Sequence, residues 1–410
     1  MSAASQKVTP GSAPGGRPKR ADSVVVGPVP SESLRVLHVV ARSHLRGAEK
    51  VAIELSDELD EMGHHNAVVA IGLGQDGGRV PRLDPLVLDS GVGPSVWWRA
   101  SWRLRRRLRS HPVDVVMAHG GWALKVVTAA VVARRGAAPL VVWQRILGVP
   151  EGLWRGRRRW LWRGLARRID AAVALTLDLE DETRRLGFDG PIWVIPNARR
   201  PERFLAVDRS AASARMHEQL ALDPAVAIIG FVGHLVVQKR PERAVEVLAA
   251  VRSAGVDAHL VVAGDGPLRS QMEAAIVERD VAEHVTLLGF RVDVEEVMGA
   301  SDILLLTSDV EGFPGVAIEA LMTGCPMVTF PLGGVAEVIE DGVSGVVLDR
   351  FDTARMAQHA VKLLHDRPML DRMGHEGRVR SSEFAFDRIA ATYASRLLAL
   401  RNGSPSQRSA

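Results

Sequence analysis

The chain has 410 residues, 47% of them apolar and 24% charged, with 52 Lys and Arg against 48 Asp and Glu. Those proportions describe a globular protein with room for two cores and exclude a low-complexity or fibrous chain. The single cysteine, Cys325, excludes an internal disulfide and a multi-cysteine metal site, and no apolar run approaches the roughly 18 residues a membrane-spanning helix needs.

Residues 1–30 are rich in Ser, Ala, Gly and Pro and lack the apolar centre of a signal peptide, so they read as a disordered leader. Residues 34–40 form a β-type run. A loop containing Gly47 then leads into a helix over 49–62, stopped by Gly63. Strand-like runs recur at 66–71, 113–118, 140–144, 170–175 and 192–195. The pattern weakens over 198–223 and restarts with runs at 226–232, 259–263, 285–288, 302–306, 327–330 and 345–348. Helical segments separate most of these runs, which is the alternation of a doubly wound parallel sheet. The expected architecture is therefore α/β, with two Rossmann-like domains facing a central cleft. An N-terminal domain spans 31–197, a linker 198–223, and a C-terminal domain 224–382. A last helix over 383–401 is placed to pack back on the N-terminal domain, and a loose polar tail covers 402–410.

Charge is uneven along the first half. Residues 96–168 carry 17 Lys or Arg against two acids, Asp114 and Glu151. Two segments there, 97–107 and 154–165, combine Trp with Arg; on a helix Trp154, Leu161, Trp162 and Leu165 share a side. Such a face suits an anionic membrane surface. The alternative is a solvated helix whose Trp residues enter the core, and nucleic acid is not an expected partner. The expected setting is cytoplasmic, peripheral to a membrane.

Residues 308–328 read S-D-V-E-G-F-P-G-V-A-I-E-A-L-M-T-G-C-P-M-V. An apolar run, 303–306, precedes them, and a helical pattern begins near Pro314, a residue suited to a first helical position. Glu311 then stands at the carboxyl end of a strand, and Glu319 about one turn into the helix. The N–H groups of Phe313, Gly315 and Val316 are expected to face outward, where the helix dipole favours an anion or hydroxyls. Residues 231–242, F-V-G-H-L-V-V-Q-K-R-P-E, give a strand end at Gly233, then His234 and Lys239. Glycine permits close backbone approach, and Lys239 reads equally as a diphosphate partner or as a solvated loop lysine. Residues 261–267, V-V-A-G-D-G-P, are a third tight turn, which alone is ordinary punctuation. Cys325 fits a small buried residue.

These motifs, with P-L-G-G-V-A-E-V-I at 331–339, resemble the retaining nucleotide-sugar glycosyltransferases of family 4, of GT-B architecture. The resemblance covers roughly 35–400 and is closer in the second half. It implies that Glu319 binds ribose hydroxyls, and that Glu311 lies near the donor sugar. It further implies that Phe313, Pro314, Gly315 and Val316 contact sugar and phosphate through their backbone, and that Lys239 faces the diphosphate. Phe290 and Arg291 fall where the family holds the base, Gly47 in the loop approaching the donor phosphates, and His119 where the family has a cleft histidine. His119 has a second reading as a strand-end structural residue. The chain departs from the family where His234 replaces a common Arg, where Arg46-Gly47 replaces Gly-Gly, and where Asn197-Ala198 replaces Asn-Gly.

The implied reaction is sugar transfer from a nucleoside-diphosphate donor, uridine favoured over guanosine, to a saccharide or lipid-linked acceptor with retention. No Asp-x-Asp pair occurs in the sequence, so neither metal nor cofactor is expected, and Lys239 with helix N-termini would stabilise the leaving diphosphate. Alternatives are a non-catalytic sugar-nucleotide sensor, a sugar-nucleotide epimerase, a two-carboxylate hydrolase, and a Rossmann oxidoreductase. The last predicts G-x-G-x-x-G after the first strand, where residues 41–47 lack it.

Overall fold

The structure is a computed structural model that describes residues 33–43, 47–74, 82–89, 91, 93–132, 138–146, 164 and 166–403. Trp154, Leu161, Trp162 and Leu165 of the second Trp/Arg segment, Arg46, and the expected leader lie outside the described residues.

The apolar runs form two parallel sheets. The first holds β1 (Arg35–Ser43), β2 (His65–Leu73), β3 (Asp84–Pro85), β4 (Val115–His119), β5 (Leu140–Arg145), β6 (Ala171–Ala174) and β7 (Ile192–Val194), in the order β3-β2-β1-β4-β5-β6-β7. The second holds β8 (Ala227–Val232), β9 (Ala258–Ala263), β10 (Val285–Gly289), β11 (Ile303–Leu306), β12 (Met327–Thr329) and β13 (Gly345–Val347), in the order β10-β9-β8-β11-β12-β13. Both orders run outward from the first strand, then reverse to its other side. Ala258–Ala263 and Ile303–Leu306 are buried along their whole length. Helices cover both faces, which is why these strands read as unbroken apolar runs instead of alternating ones.

Every strand expected from the sequence forms, with ends shifted by up to three residues. Two things differ from expectation. Asp84–Pro85 is a strand too short to carry a period. The stretch 198–223 is not irregular: it contains helices Glu202–Leu205 and Arg209–Leu220. Asp208 caps the second by accepting from the N–H groups of Ser210 and Ala211. Its apolar stripe is thin, yet Ala212 and Met216 pack with Val207, Ile228 and Val261 of the second sheet's layer.

The described residues from Leu34 onward form one compact unit. After the second sheet's helices the chain returns to the first sheet. Helix Phe386–Arg401 buries Phe386, Ile389, Ala390, Tyr393 and Leu397 against Leu34, Val36, Val115, Met117 and Val142. Each of the Phe, Ile, Leu, Val and Met side chains among them contributes about 1.5–3 kcal/mol on leaving water. At the crossing point Arg199 N–H donates to the Phe384 carbonyl (3.0 Å) and Phe386 N–H to the Arg199 carbonyl (3.2 Å). Cys325 is buried, its thiol 3.3 Å from the Ser301 carbonyl, and burial pushes its pKa up.

Candidate active site

In doubly wound sheets ligands collect where the strand order reverses, beyond the carboxyl ends of the two central strands. In the second sheet those strands are β8 and β11, which pair directly. The loop after β8 carries Lys239 and the loop after β11 carries Glu311. Lys239 Nζ lies 2.5 Å from Glu311 Oε1, and Ser308 Oγ donates to the same oxygen at 2.6 Å. The two loops are laced together. Thr307 Oγ1 donates to the Lys239 carbonyl (2.9 Å), Asp309 N–H to the Gln238 carbonyl (2.9 Å), and Gln238 Nε2 to the Val310 carbonyl (2.7 Å). Arg240 and Arg243 both grip Asp309, at 2.6 and 2.7 Å. Burial opposes its ionisation, but the two guanidinium bonds outweigh it and hold the carboxyl below its ordinary value.

The glycines of the other motifs press on this frame. A Cβ at Gly264 would overlap the Gly233 carbonyl oxygen, so the turns after β8 and β9 can cross only as they do. Gly334, at φ +71°, lies against the Gly312 carbonyl, and Gly333 against that of Glu311. The four motifs read from the sequence therefore meet at one sheet edge.

Helix Gly315–Thr323 starts one residue later than expected. Pro314 is its N-cap, at ψ 113°, outside the helix. Glu319 has a different partner from the Lys239–Glu311 pair. Arg199 Nε donates to Glu319 Oε1 at 2.6 Å, both side chains being nearly buried. The guanidinium lies where a Cβ on Gly315 would stand. Asn197 Nδ2 donates to the Phe313 carbonyl at 3.0 Å, so the segment joining the sheets clasps the loop and helix after β11 twice. Sequence reasoning missed Arg199; the signal was an Arg-Arg pair directly after Asn197-Ala198.

The remaining residues fall as follows. Phe313 is buried and Gly315 and Val316 are half-buried at the helix start. His234 lies 2.5 Å from the Asp265 carbonyl through Nδ1. A carbonyl only accepts, so Nδ1 carries a proton and Nε2 is the ring nitrogen left to face a ligand. Phe290, after Gly289, is 78% exposed, and Arg291 pairs with Asp293. Gly47 is the first residue of helix Gly47–Glu61, with open space around its Cβ position. His119 ends β4, at the reversal point of the first sheet, but it is buried there, its Nε2 3.0 Å from His38 Nδ1. Burial, then the neighbouring His38, lowers its pKa well below the ordinary histidine value. Among the described residues no group of three or more His, Cys, Asp or Glu is placed to hold a metal ion.

Helix Pro94–Ser110 holds the first Trp/Arg segment. Val96, Ala100, Leu104 and Leu108 face the core, while Trp98 and Trp102 are 64% and 61% exposed. Arg106 stacks on Trp102 (5.9 Å to the centroid), and Arg109 is exposed one turn on.

Two family models divide the chain as the sheets do. One described as Glycosyltransferase Family 4 matches residues 45–203, and one described as Glycosyl transferases group 1 matches 213–380. The chain belongs to glycosyltransferase family 4 and has its GT-B fold. It is similar to an alpha-D-kanosaminyltransferase of Streptomyces kanamyceticus, 29% identical over 224 residues, which are 52% of this chain and 56% of that one. A D-inositol 3-phosphate glycosyltransferase of Mycolicibacterium gilvum is 34% identical over 193 residues, 44% of this chain and 42% of that one. These matches span about half the length of the relatives. Among solved structures, Anabaena Alr3699/HepE in complex with UDP and glucose superposes with a TM-score of 0.72 at 19% identity, covering 89% of this chain and 99% of that one.

Proposed function

We propose that the protein transfers a sugar from a nucleoside-diphosphate sugar to a saccharide or lipid-linked acceptor, with retention at the anomeric carbon and without a metal. The observation that carries this reading is the Lys239–Glu311 pair, held at the reversal point of the second sheet by loops bonded to each other.

In such a transfer the bond from the anomeric carbon to the diphosphate breaks, negative charge grows on the leaving oxygen, and the acceptor oxygen bonds to the same face. The acceptor proton passes to the leaving diphosphate. Lys239 has three N–H donors, so it can keep Glu311 and still donate to a phosphate oxygen as charge develops. Glu311, fixed by Lys239 and Ser308, orients the donor sugar. Glu319, fixed by Arg199, accepts from ribose hydroxyls. Gly47, Gly233 and His234 lie along the phosphates and Phe290 and Arg291 along the base, while His119, buried at the end of β4, backs the sugar site without meeting the sugar. The backbone of Phe313, Pro314, Gly315 and Val316 completes the donor site. Uridine is the base to test first, ahead of guanosine.

The exposed Trp98, Trp102 and Arg106 face supports a second element of the proposal: the protein works at the cytoplasmic face of an anionic membrane, where a lipid-linked acceptor would be presented.

A panel of nucleoside diphosphates and nucleotide sugars, read by thermal shift, tests donor binding. Product anomer assignment by NMR and turnover in EDTA test retention and metal independence. An inverted product, or activity abolished by EDTA and restored by a divalent ion, overturns those two parts separately.

A further inference from the structure

Beneath the first sheet's reversal point runs a line of buried polar side chains. His119 and Gln144 are register partners on the neighbouring parallel strands β4 and β5, so their side chains stand side by side on one face of the sheet. Gln144 also meets the Tyr393 hydroxyl of helix Phe386–Arg401 at 3.1 Å. On the other side His119 Nε2 meets His38 Nδ1 at 3.0 Å, and His38 Nε2 meets Asn66 Oδ1 at 3.3 Å. Asn66 Nδ2 donates to Asp60 Oδ1 at 2.9 Å, an oxygen that also accepts the Asn66 backbone N–H.

Two atoms in this line have no hydrogen-bond partner as placed, His119 Nδ1 and Gln144 Oε1. Orphaned buried polar atoms cost about 1–3 kcal/mol each. The two ends of a glutamine amide have the same shape, so only their partners decide which is which. Those partners can be worked out from the Asp60 end. The carboxylate accepts, so Asn66 turns Nδ2 toward it and Oδ1 toward His38. That oxygen accepts, so His38 carries its proton on Nε2 and its Nδ1 accepts. Burial lowers the His38 pKa to about 4 and also lowers that of His119, so each neutral ring holds one proton. His119 must then donate from Nε2, and its Nδ1 must accept. Gln144 can meet that need only by turning Nε2 toward His119, which leaves Oε1 for the Tyr393 O–H. Burial pushes the Tyr393 phenol up, so it keeps the proton it donates. Turning over one amide gives both orphans a partner.

We infer that Tyr393, Gln144, His119, His38, Asn66 and Asp60 form one unidirectional hydrogen-bond chain that fixes His119 in the Nε2–H tautomer. His38, Asn66, Gln144 and Tyr393 are positioning residues for His119. Both bonds to His119 come from neighbouring strands, and one end of the chain is anchored by the C-terminal helix. Both ring nitrogens of His119 are engaged inside the chain, so His119 is a fixed support of the β4 end and not a group that meets substrate.

The test is long-range proton–nitrogen correlation on the full-length protein labelled with nitrogen-15, the rings assigned by His38→Gln and His119→Gln. At neutral pH both rings are expected as single Nε2–H tautomers, with pyridine-type Nδ1. Either ring found protonated on Nδ1, or on both nitrogens, overturns the chain. Asn66→Leu removes the acceptor that holds His38, after which the reversed chain is equally satisfied. His119 is then expected to move to a mixture with averaged ring nitrogens, and an unchanged tautomer overturns the inference.

Discussion

Arg199, on the segment between the two sheets, donates from Nε to Glu319 Oε1 at 2.6 Å, with only 11% and 13% of the two side chains exposed. Its backbone is held by Phe384 and Phe386 and its Nη1 by the Ala198 carbonyl. The acid proposed to read ribose is thus oriented by a residue outside the sheet that carries it.

Removing that cation leaves Glu319 nearly buried and unpaired. It also strips a shared counter-charge from Glu54, whose carboxyl burial already pushes up against the pull of Lys50, Arg199 and Arg200. Arg199→Ala is expected to cost about 2–3 kcal/mol in denaturant unfolding. A double-mutant cycle with Glu319→Gln should return a coupling of about 1 kcal/mol or more. Strict additivity would show that the pair contributes nothing.

The crossing of Gly264 and Gly233 predicts a backbone effect. The carbonyl at Gly233 cannot swing aside, because Gly233 N–H is bonded to the Ala263 carbonyl at 3.0 Å and Gly264 N–H to that of Gly289 at 2.8 Å. Gly264→Ala should destabilise by about 3 kcal/mol, beyond the usual range for a surface turn. A melting temperature unchanged from the parent would contradict the close approach.

The buried His38 predicts a pH dependence of stability. Its pKa falls on folding from 6.5 to about 4, chiefly through burial. Between those values the unfolded chain binds the proton more tightly, so stability is fully present above pH 6.5 and is lost as pH falls toward 4. The contribution lost is on the order of 3 kcal/mol. The stability gap between the parent and His38→Gln should therefore narrow by that amount between about pH 7.5 and pH 4. A constant gap would mean that His38 is not desolvated.

The exposed face of helix Pro94–Ser110 predicts lipid binding. The protein should sediment with vesicles containing anionic lipid and not with neutral ones, and less so as salt screens the arginines. Trp98→Ser with Trp102→Ser should abolish it without changing the melting temperature, since both rings are largely exposed. Retention of vesicle binding by the double variant would move the contact elsewhere.

Much of this could be read from residue order, and the reasons are local. Ile303–Leu306 is apolar throughout because both its faces are covered, and a parallel strand delivers its next loop to a fixed edge. That is why Lys239 and Glu311 were legible as neighbours although 72 positions separate them. Arg199 and Glu319 are 120 positions apart, and their contact depends on the path of a segment with no strand of its own. Helix Arg209–Leu220 was illegible for want of a broad apolar stripe; it is recognisable only once Asp208 is seen capping it. His38 lies inside the apolar run 34–40, so nothing in the sequence marks it as the partner of His119.

The central claim is that Lys239, Glu311 and Glu319 address one nucleotide-sugar molecule. Isothermal titration of the parent protein with UDP and UDP-sugars, and GDP equivalents if those fail, should give a single site. Lys239→Met should weaken diphosphate binding about ten-fold or more, as expected for a charged hydrogen bond. Glu319→Gln should weaken nucleoside diphosphate and nucleotide sugar alike, and Glu311→Gln the nucleotide sugar more than the diphosphate. Folded Lys239→Met and Glu319→Gln variants that bind the same nucleotide as tightly as the parent would contradict the account.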